Sequence, residues 1–159
     1  MRTNDTAYLQ PAFDIIRTTD PNLYRRMKNS DWTIHVVDEP SDLLPLLREG
    51  LGMPDVYGLA ESLDDANGVT ILPQAPVSVA GDTWLNRPYL NAQADEMHLD
   101  RVRVLAYTIA HEFNHHEGGR EPTAYTAGTE FAQKMGDRGV AQLSELTRQS
   151  VMQSGQYYS

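Results

Sequence analysis

The chain has 159 residues, of which 40% are hydrophobic and 22% charged, a composition typical of a single globular domain that can bury its own core. The absence of cysteine excludes disulfides, thiolate metal sites and cysteine nucleophiles, so any metal must be held by histidines and carboxylates. A net charge of −9, with no basic cluster, argues against a nucleic-acid partner. No apolar run is long enough to span a membrane and no signal peptide is visible at the start, so we expect no membrane partner, and the localisation stays open.

The first forty residues predict helical pieces followed by a strand. We expect helix breaks at Pro11 and Pro21, with Asp20 as the N-cap of the second piece. The β-branched run at 34–37 predicts a strand. The leucine-rich segment 41–50 then predicts a short helix that ends at a glycine.

The middle of the chain predicts further short strands. A turn cluster over 64–68 precedes an apolar run at 69–72, which predicts the second strand. The segment 77–79 predicts a third strand. Segment 81–91, with its proline and aromatic residues, predicts a loop or an irregular edge strand.

From about residue 96 the apolar residues recur at helical spacing. The stripe comprises Val102, Leu105, Ala106, Ile109, Ala110 and Phe113, and it predicts a helix that ends at Gly118 and Gly119. A second helix is expected from about Pro122 to Gly136, and a third from about Val140 to Ser154.

These elements predict one α+β domain over residues 1–159. Its strands lie mainly within 31–95, the long helix covers about 96–117, and the C-terminal helices cover about 121–154. The oligomeric state cannot be deduced from this pattern.

The long helix carries the sequence His111-Glu112-Phe113-Asn114-His115. Histidines four residues apart project from one face of a helix, so both imidazoles can reach a single ion. The glutamate beside the first histidine is placed to act on a water at that ion. About 0.01 chance matches are expected for a chain of this composition, so the pattern predicts a metal site.

The segment from His111 to Glu121 resembles the zincin metallopeptidases. Metzincins place a glycine three residues after the second histidine and the third ligand three residues further, where Gly118 and Glu121 stand, although they use His or Asp as that ligand. Gluzincins use a glutamate early in the next helix, often followed by alanine and an aromatic, as in Glu121, Ala124 and Tyr125. Their glutamate usually lies further along the chain, but we favour this second resemblance.

The resemblance implies a zincin-like fold and a zinc metalloendopeptidase. It implies one Zn²⁺ per chain, held by His111, His115 and Glu121, with Glu112 activating water to hydrolyse a peptide or protein substrate. It also implies that an edge strand above the helix, at 69–72 or 77–79, pairs with the extended substrate.

Chain geometry also ranks the carboxylates that could complete the site. A tight helical hairpin after His116 would place Glu121 opposite His115. Glu130 would then lie opposite about Ala106, and Glu117 is too close to the helix end to bend back. We therefore rank Glu121 ahead of Glu130 and Glu117.

Several weaker patterns lie near this motif or in the tail. Segment 150–154 resembles the methionine turn of metzincins over three residues only, and we favour the interpretation of Met152 as a core residue near a helix end. We interpret His116 as a cation at the helix C-terminus, His35 as a strand surface residue and His98 as a residue near the helix start.

Three tyrosines are candidates for stabilising the oxyanion, namely Tyr125, Tyr157 and Tyr158, and the sequence does not choose among them. Two other functions stay open. One is a zinc hydrolase of a non-protein amide, although peptide deformylases need a cysteine ligand. The other is a zincin-like metal-binding regulatory or binding protein without turnover, against which the intact Glu112 argues.

Overall fold

The computed structural model of the chain describes residues 1–39, 66–76 and 78–154, and this part has an α+β architecture. Its four strands are β1 (Arg2–Thr3), β2 (Thr33–Val37), β3 (Gly68–Thr70) and β4 (Thr83–Asn86). Its six helices are α1 (Thr6–Thr19), α2 (Pro21–Asn29), α3 (Arg87–Glu96), α4 (Arg101–His116), α5 (Glu121–Met135) and α6 (Arg138–Ser154). No helix within these residues is both long and apolar enough to cross a membrane.

The strands form one mixed sheet in the order β1-β2-β4-β3. The first three strands run parallel, and β3 pairs antiparallel with β4, so β3 is an edge strand in the described sheet. In this pairing Val69 lies opposite Trp84, and Thr70 lies opposite Thr83. Because β3 also packs against α4, the sheet edge lies directly beside the helix that carries the histidines.

Helix α4 is the centre of the hydrophobic core. Eleven of its sixteen residues are buried, and it packs against α1, α3 and α5 as well as β3. The large side chains of Trp32, Trp84 and Phe113 are almost fully excluded from solvent. The functional residues of α4 are therefore held on a helix that is fixed from several sides.

The predicted break at Pro21 is confirmed, and the one at Pro11 is wrong. Asp20 caps α2 by accepting a hydrogen bond from the Leu23 amide, with Pro21 in the first turn. Helix α1 instead runs through Pro11, whose ring is exposed. A proline inside a helix costs about 3 kcal/mol. Burying three large side chains of α1 (Leu9, Phe13 and Ile16) gains about 1.5–3 kcal/mol each, which outweighs that cost.

The prediction of a loop or irregular edge over 81–91 is also wrong. The segment contains β4, all four residues of which are buried, and the beginning of α3. The Asn86 side chain accepts a hydrogen bond from the Tyr89 amide and so caps α3. Pro88 lies in the first turn, where no intrahelical hydrogen bond is lost. Pro88 therefore marks a helix start and not a loop.

Other predicted strands differ in their bounds. The second strand is observed one residue earlier and shorter, as β3. Ser78 and Val79 lie in turns, so no strand forms there, while Val77 lies outside the described residues. The helix predicted over 41–50 and part of the turn cluster at 64–68 also lie outside them. Strand β1 was not predicted, because two residues are too few to show a period.

The predicted C-terminal helices are confirmed with small shifts. Helix α4 begins at Arg101 and not near 96, because α3 ends at Glu96 and His98 has a positive φ of 55°. The Asp100 side chain caps α4 by accepting a hydrogen bond from the Arg103 amide. Helices α5 and α6 follow as expected, separated by a left-handed glycine at the end of α5.

Candidate metal centre

A tight turn joins α4 to α5 and determines what faces the two histidines. Gly118 has a φ of +99°, and the Gly119 amide donates a hydrogen bond of 2.8 Å to the Asn114 carbonyl oxygen. A Cβ atom on Gly119 would lie 1.8 Å from Asn114 Oδ1, so only glycine fits there. The turn brings the first residue of α5, Glu121, back against α4.

His111, His115 and Glu121 form a compact group of potential metal ligands. One ligand atom from each lies within 4.8 Å of the other two. His115 Nε2 contacts Glu121 Oε1 directly, and His111 Nε2 lies 3.7 Å from the same oxygen. Both histidines are only 7% exposed, so these polar groups share a largely water-free site.

The orientation of His115 fits a metal ligand. Its Nδ1 lies 2.7 Å from the Gly119 carbonyl oxygen, which can only accept, so Nδ1 carries a proton and donates it. This bond directs Nε2 towards the carboxylate, as a second hydrogen bond commonly does for metal-bound histidines. Two imidazoles and one carboxylate are a donor set that zinc uses in catalytic sites, where tetrahedral ligand atoms lie about 3.3 Å apart. The group could therefore hold a metal ion, and its donor atoms are of the kinds that zinc accepts.

The charges of this group are strongly coupled. Burial acts to lower the pKa of His115, but the hydrogen bond to Glu121 and the charges of Glu112 and Glu121 raise it to about 9. Burial acts to raise the pKa of Glu121, but the two histidines lower it to about 2. The Glu121 carboxylate is thus ionised over the whole physiological pH range. Protonated His115 supplies the positive charge next to it, where a metal cation would otherwise do so.

His111 is held by aromatic rings. Its imidazole lies edge-on to Tyr125, with ring centroids 4.5 Å apart, and 6.4 Å from the ring of Tyr107. A Cβ atom at Gly128 would lie 2.6 Å from Tyr107 Cε2, so a glycine lets α5 approach this ring closely. His111 Nδ1 is buried without a hydrogen-bond partner in the described structure. Ring packing, and not a hydrogen bond, therefore orients this imidazole.

Glu112 lies on another flank of α4, under the edge strand β3. It is 4% exposed, and its Oε2 accepts a hydrogen bond of 2.5 Å from Thr70 Oγ1. It does not belong to the ligand group found among the described residues. Its charge nevertheless contributes to the raised pKa of His115, so it acts on the same site. Glu112 thus lies near the three potential ligands without being one of them.

The other carboxylates we considered lie outside the ligand group. Glu117 is exposed and forms an ion pair with Arg26 at 3.2 Å. Glu130 is exposed too, and it lines a cleft of about 210 Å³ between α2, α4 and α5. The structure thus brings Glu121, and neither alternative, to the two histidines.

No methionine turn forms at 150–154, because Met152 lies in the last turns of α6, which continues to Ser154, as the interpretation of a residue near a helix end expects. His98 is exposed between α3 and α4. His35 is half-buried, stacks on Trp84 and contacts Asp82 at 3.0 Å, so it is less of a surface residue than expected.

His116 does lie at the C-terminus of α4, but it also fixes that end of the helix. Its Nδ1 donates to the Gly81 carbonyl oxygen at 2.8 Å, and its Nε2 lies 3.3 Å from Asp31 Oδ1. Asp31 lies two residues before β2, and Gly81 lies two residues before β4. Tyr125 contacts the site, whereas Tyr157 and Tyr158 lie outside the described residues.

Thr70 and Tyr107 are the residues of the site that sequence reasoning missed. Tyr107 lies four residues before His111, so helical spacing could have identified it. Thr70 lies 42 residues before Glu112, and no local pattern connects the two. Only the packing of β3 on α4 brings these two residues together.

No protein-family model, no curated protein and no solved structure matches the chain. The residues themselves bring together three potential nitrogen and oxygen ligands and place a buried carboxylate, Glu112, on another flank of the same helix.

Proposed function

We propose that this protein is a zinc-dependent metallopeptidase with a zincin-like fold, close in pattern to the gluzincins. One observation carries the proposal: His111, His115 and Glu121 converge on one point, while Glu112 lies beside them outside the ligand group. A structural zinc site is normally closed by four protein ligands. Three ligands with a neighbouring carboxylate are the composition of a hydrolytic site.

The surrounding fold supports the same interpretation. An antiparallel edge strand, β3, packs on the helix that carries the two histidines, and the third ligand begins the next helix. Glu121 is followed by Ala124 and Tyr125, which are both buried. This pattern is similar to the gluzincin arrangement, although the two helices are joined by a shorter turn.

Glu112 performs the proton transfers in the proposed reaction. A zinc ion at the three ligands would lower the pKa of water and polarise the scissile carbonyl. Glu112 takes the proton of the attacking water and delivers it to the leaving amine when the C–N bond breaks. Because Glu112 is buried, solvent screens its charge only weakly from the reacting atoms.

Two further features bear on substrate and transition state. Strand β3 offers a sheet edge beside Glu112, to which an extended peptide can add as a further strand. A net charge of −9 favours neutral or basic peptides. Burial raises the pKa of Tyr125, so its hydroxyl stays protonated at neutral pH and can donate a hydrogen bond to an oxyanion.

The test is metal content together with hydrolysis. After zinc reconstitution we expect close to one zinc per chain by elemental analysis, and cleavage of a casein-type substrate that a chelator abolishes and zinc restores. Absence of bound zinc would disprove the proposed metal site. Zinc bound at one per chain without cleavage of any peptide would instead identify a metal-binding protein without turnover.

A further inference from the structure

We propose that Thr70 is a positioning residue for Glu112, as the last donor in a hydrogen-bond chain that begins at Trp32. This inference rests on the proposed function to the extent that Glu112 acts as the base. The hydrogen-bond chain begins just before β2, passes through β4 and β3, and ends on α4. It connects the carboxylate to the most deeply buried part of the core.

Three consecutive hydrogen bonds form the chain. Trp32 Nε1 lies 2.8 Å from Thr83 Oγ1, which lies 2.6 Å from Thr70 Oγ1, which lies 2.5 Å from Glu112 Oε2. Trp32 and Thr83 are completely buried, Thr70 is half-buried and Glu112 is 4% exposed. Solvent therefore competes little with these bonds.

The chemistry of the two ends sets the direction of every bond. An indole nitrogen can only donate, so Thr83 accepts from Trp32 and its own hydroxyl proton is available for Thr70. An ionised carboxylate can only accept, so the Thr70 hydroxyl proton points to Glu112. All three donors then point the same way along the chain. Such aligned hydrogen bonds strengthen one another in a low-dielectric interior.

This geometry assigns different roles to the two carboxylate oxygens. Oε2 is held by Thr70, while Oε1 lies near Gly68, where an added Cβ would be 3.3 Å away. Holding one oxygen fixes the rotation of the carboxyl group and leaves the other for the attacking water. A side chain at position 68 would crowd this region, because its Cβ would also lie 2.9 Å from Leu85 Cδ2 and 3.2 Å from the Trp84 carbonyl oxygen.

The first test removes one hydroxyl at a time. Thr70→Val keeps the shape but not the donor, and we expect kcat to fall about 10- to 100-fold while KM and zinc affinity stay within about twofold. Thr70→Ser restores the hydroxyl and should recover most of kcat. The matched control is Thr147→Val, which removes a half-buried hydroxyl whose one hydrogen bond within the described residues is to the Leu143 carbonyl of α6, and it should leave kcat unchanged.

A second variant separates positioning from simple stability. Thr83→Val deprives the buried Trp32 indole of its acceptor and should lower the melting temperature at least as much as Thr70→Val. It leaves the direct bond from Thr70 to Glu112, so its loss of kcat should be smaller. Wild-type kcat in Thr70→Val, or losses of kcat that simply follow the melting temperature, would overturn the proposal.

The third measurement requires no activity and so distinguishes this inference from the proposed function. In the zinc-free protein, Thr70→Val should shift the Trp32 indole N–H resonance, because Thr83 loses its acceptor and becomes a weaker partner for the indole. The Trp84 indole, which has no hydrogen-bond partner in the described structure, is the internal reference. A Trp32 resonance that stays at its wild-type position in Thr70→Val would disprove the chain even if the enzyme were active. If the Trp32 resonance shifts clearly but the protein hydrolyses no substrate, Thr70 still positions Glu112, and only the catalytic role of Glu112 is disproved.

Discussion

Helix α4 has two flanks, and the residues that meet on them come from very different separations along the chain. On the ligand flank, His111, His115 and Glu121 come from one helical hairpin, and their geometry depends on helical spacing and a two-glycine turn. On the base flank, Glu112 is held by Thr70, which lies 42 residues away in the sequence and in another layer of the fold. The ligand flank is thus local, and the base flank is a product of the tertiary structure.

The two flanks also differ in their electrostatics. The ligand flank pairs a carboxylate with imidazoles, so protons and metal ions compete for the same atoms. The base flank holds its carboxylate through the neutral hydroxyl of Thr70, which is bonded in turn to Thr83 and Trp32, so the charge is oriented without being neutralised. Changes on the ligand flank should therefore alter metal binding, and changes on the base flank should alter turnover alone.

The largest effect is expected from breaking the base flank at Glu112. Glu112→Ala should reduce kcat by about two to four orders of magnitude, because a positioned general base contributes that much to the chemical step. The variant should still bind one zinc per chain, since Glu112 lies outside the ligand group. Steady-state kinetics and elemental analysis on the same preparation check both statements. A variant that loses zinc together with activity would show that the two flanks are not separable.

The next effect comes from breaking the ligand flank at Glu121. Glu121→Ala leaves a two-histidine site, so zinc affinity should fall by about 100-fold or more in a chelator competition. The matched control is Glu130→Ala, which removes an exposed carboxylate of α5 at a level away from the ligands and should leave the affinity nearly unchanged. Loss of affinity in the control, with none in Glu121→Ala, would move the ligand along α5 and contradict the hairpin geometry.

The smallest expected effect is the pH dependence of zinc binding on the ligand flank. The pKa of His115 is raised to about 9, so below that pH a proton must leave before Nε2 can bind zinc, and apparent zinc affinity should rise about tenfold per pH unit between about 7 and 9.

The same raised pKa of His115 stabilises the zinc-free fold below about pH 6.5, and this contribution is lost as the pH rises towards 9. Melting temperatures of zinc-free and zinc-saturated protein should therefore diverge as pH increases. In Glu121→Ala, which lacks the ion pair, the slope of the zinc-free protein should flatten, and an unchanged slope would contradict this assignment.

Much of the C-terminal half could be predicted from the sequence, because its information is local. An apolar stripe at helical spacing defines α4, and the spacing of His111 and His115 places both imidazoles on one face of it. Two glycines after the helix predict a tight turn, which is why Glu121 could be ranked ahead of Glu130 without a structure.

The sheet region could not be predicted in the same way. Strand β4 has all four residues buried, so it lacks the alternation that reveals a half-exposed strand, and Pro88, which suggests a loop by its residue type, lies in the first turn of α3. Pro11 showed the opposite error, since tertiary burial of α1 outweighed a local helix breaker. Propensity describes neighbours in the sequence, and burial is decided by partners elsewhere in the chain.

The sequence by itself therefore determined the ligand flank of α4: which side chains share a face, where the helix ends, and which carboxylate returns to the histidines. Only the tertiary structure decided the base flank, because Trp32, Thr83 and Thr70 reach Glu112 through strand order and register. The physical reason is the range of the interactions. Helical spacing and turns act over a few residues, whereas a hydrogen-bond chain across a sheet exists only after distant segments have packed together.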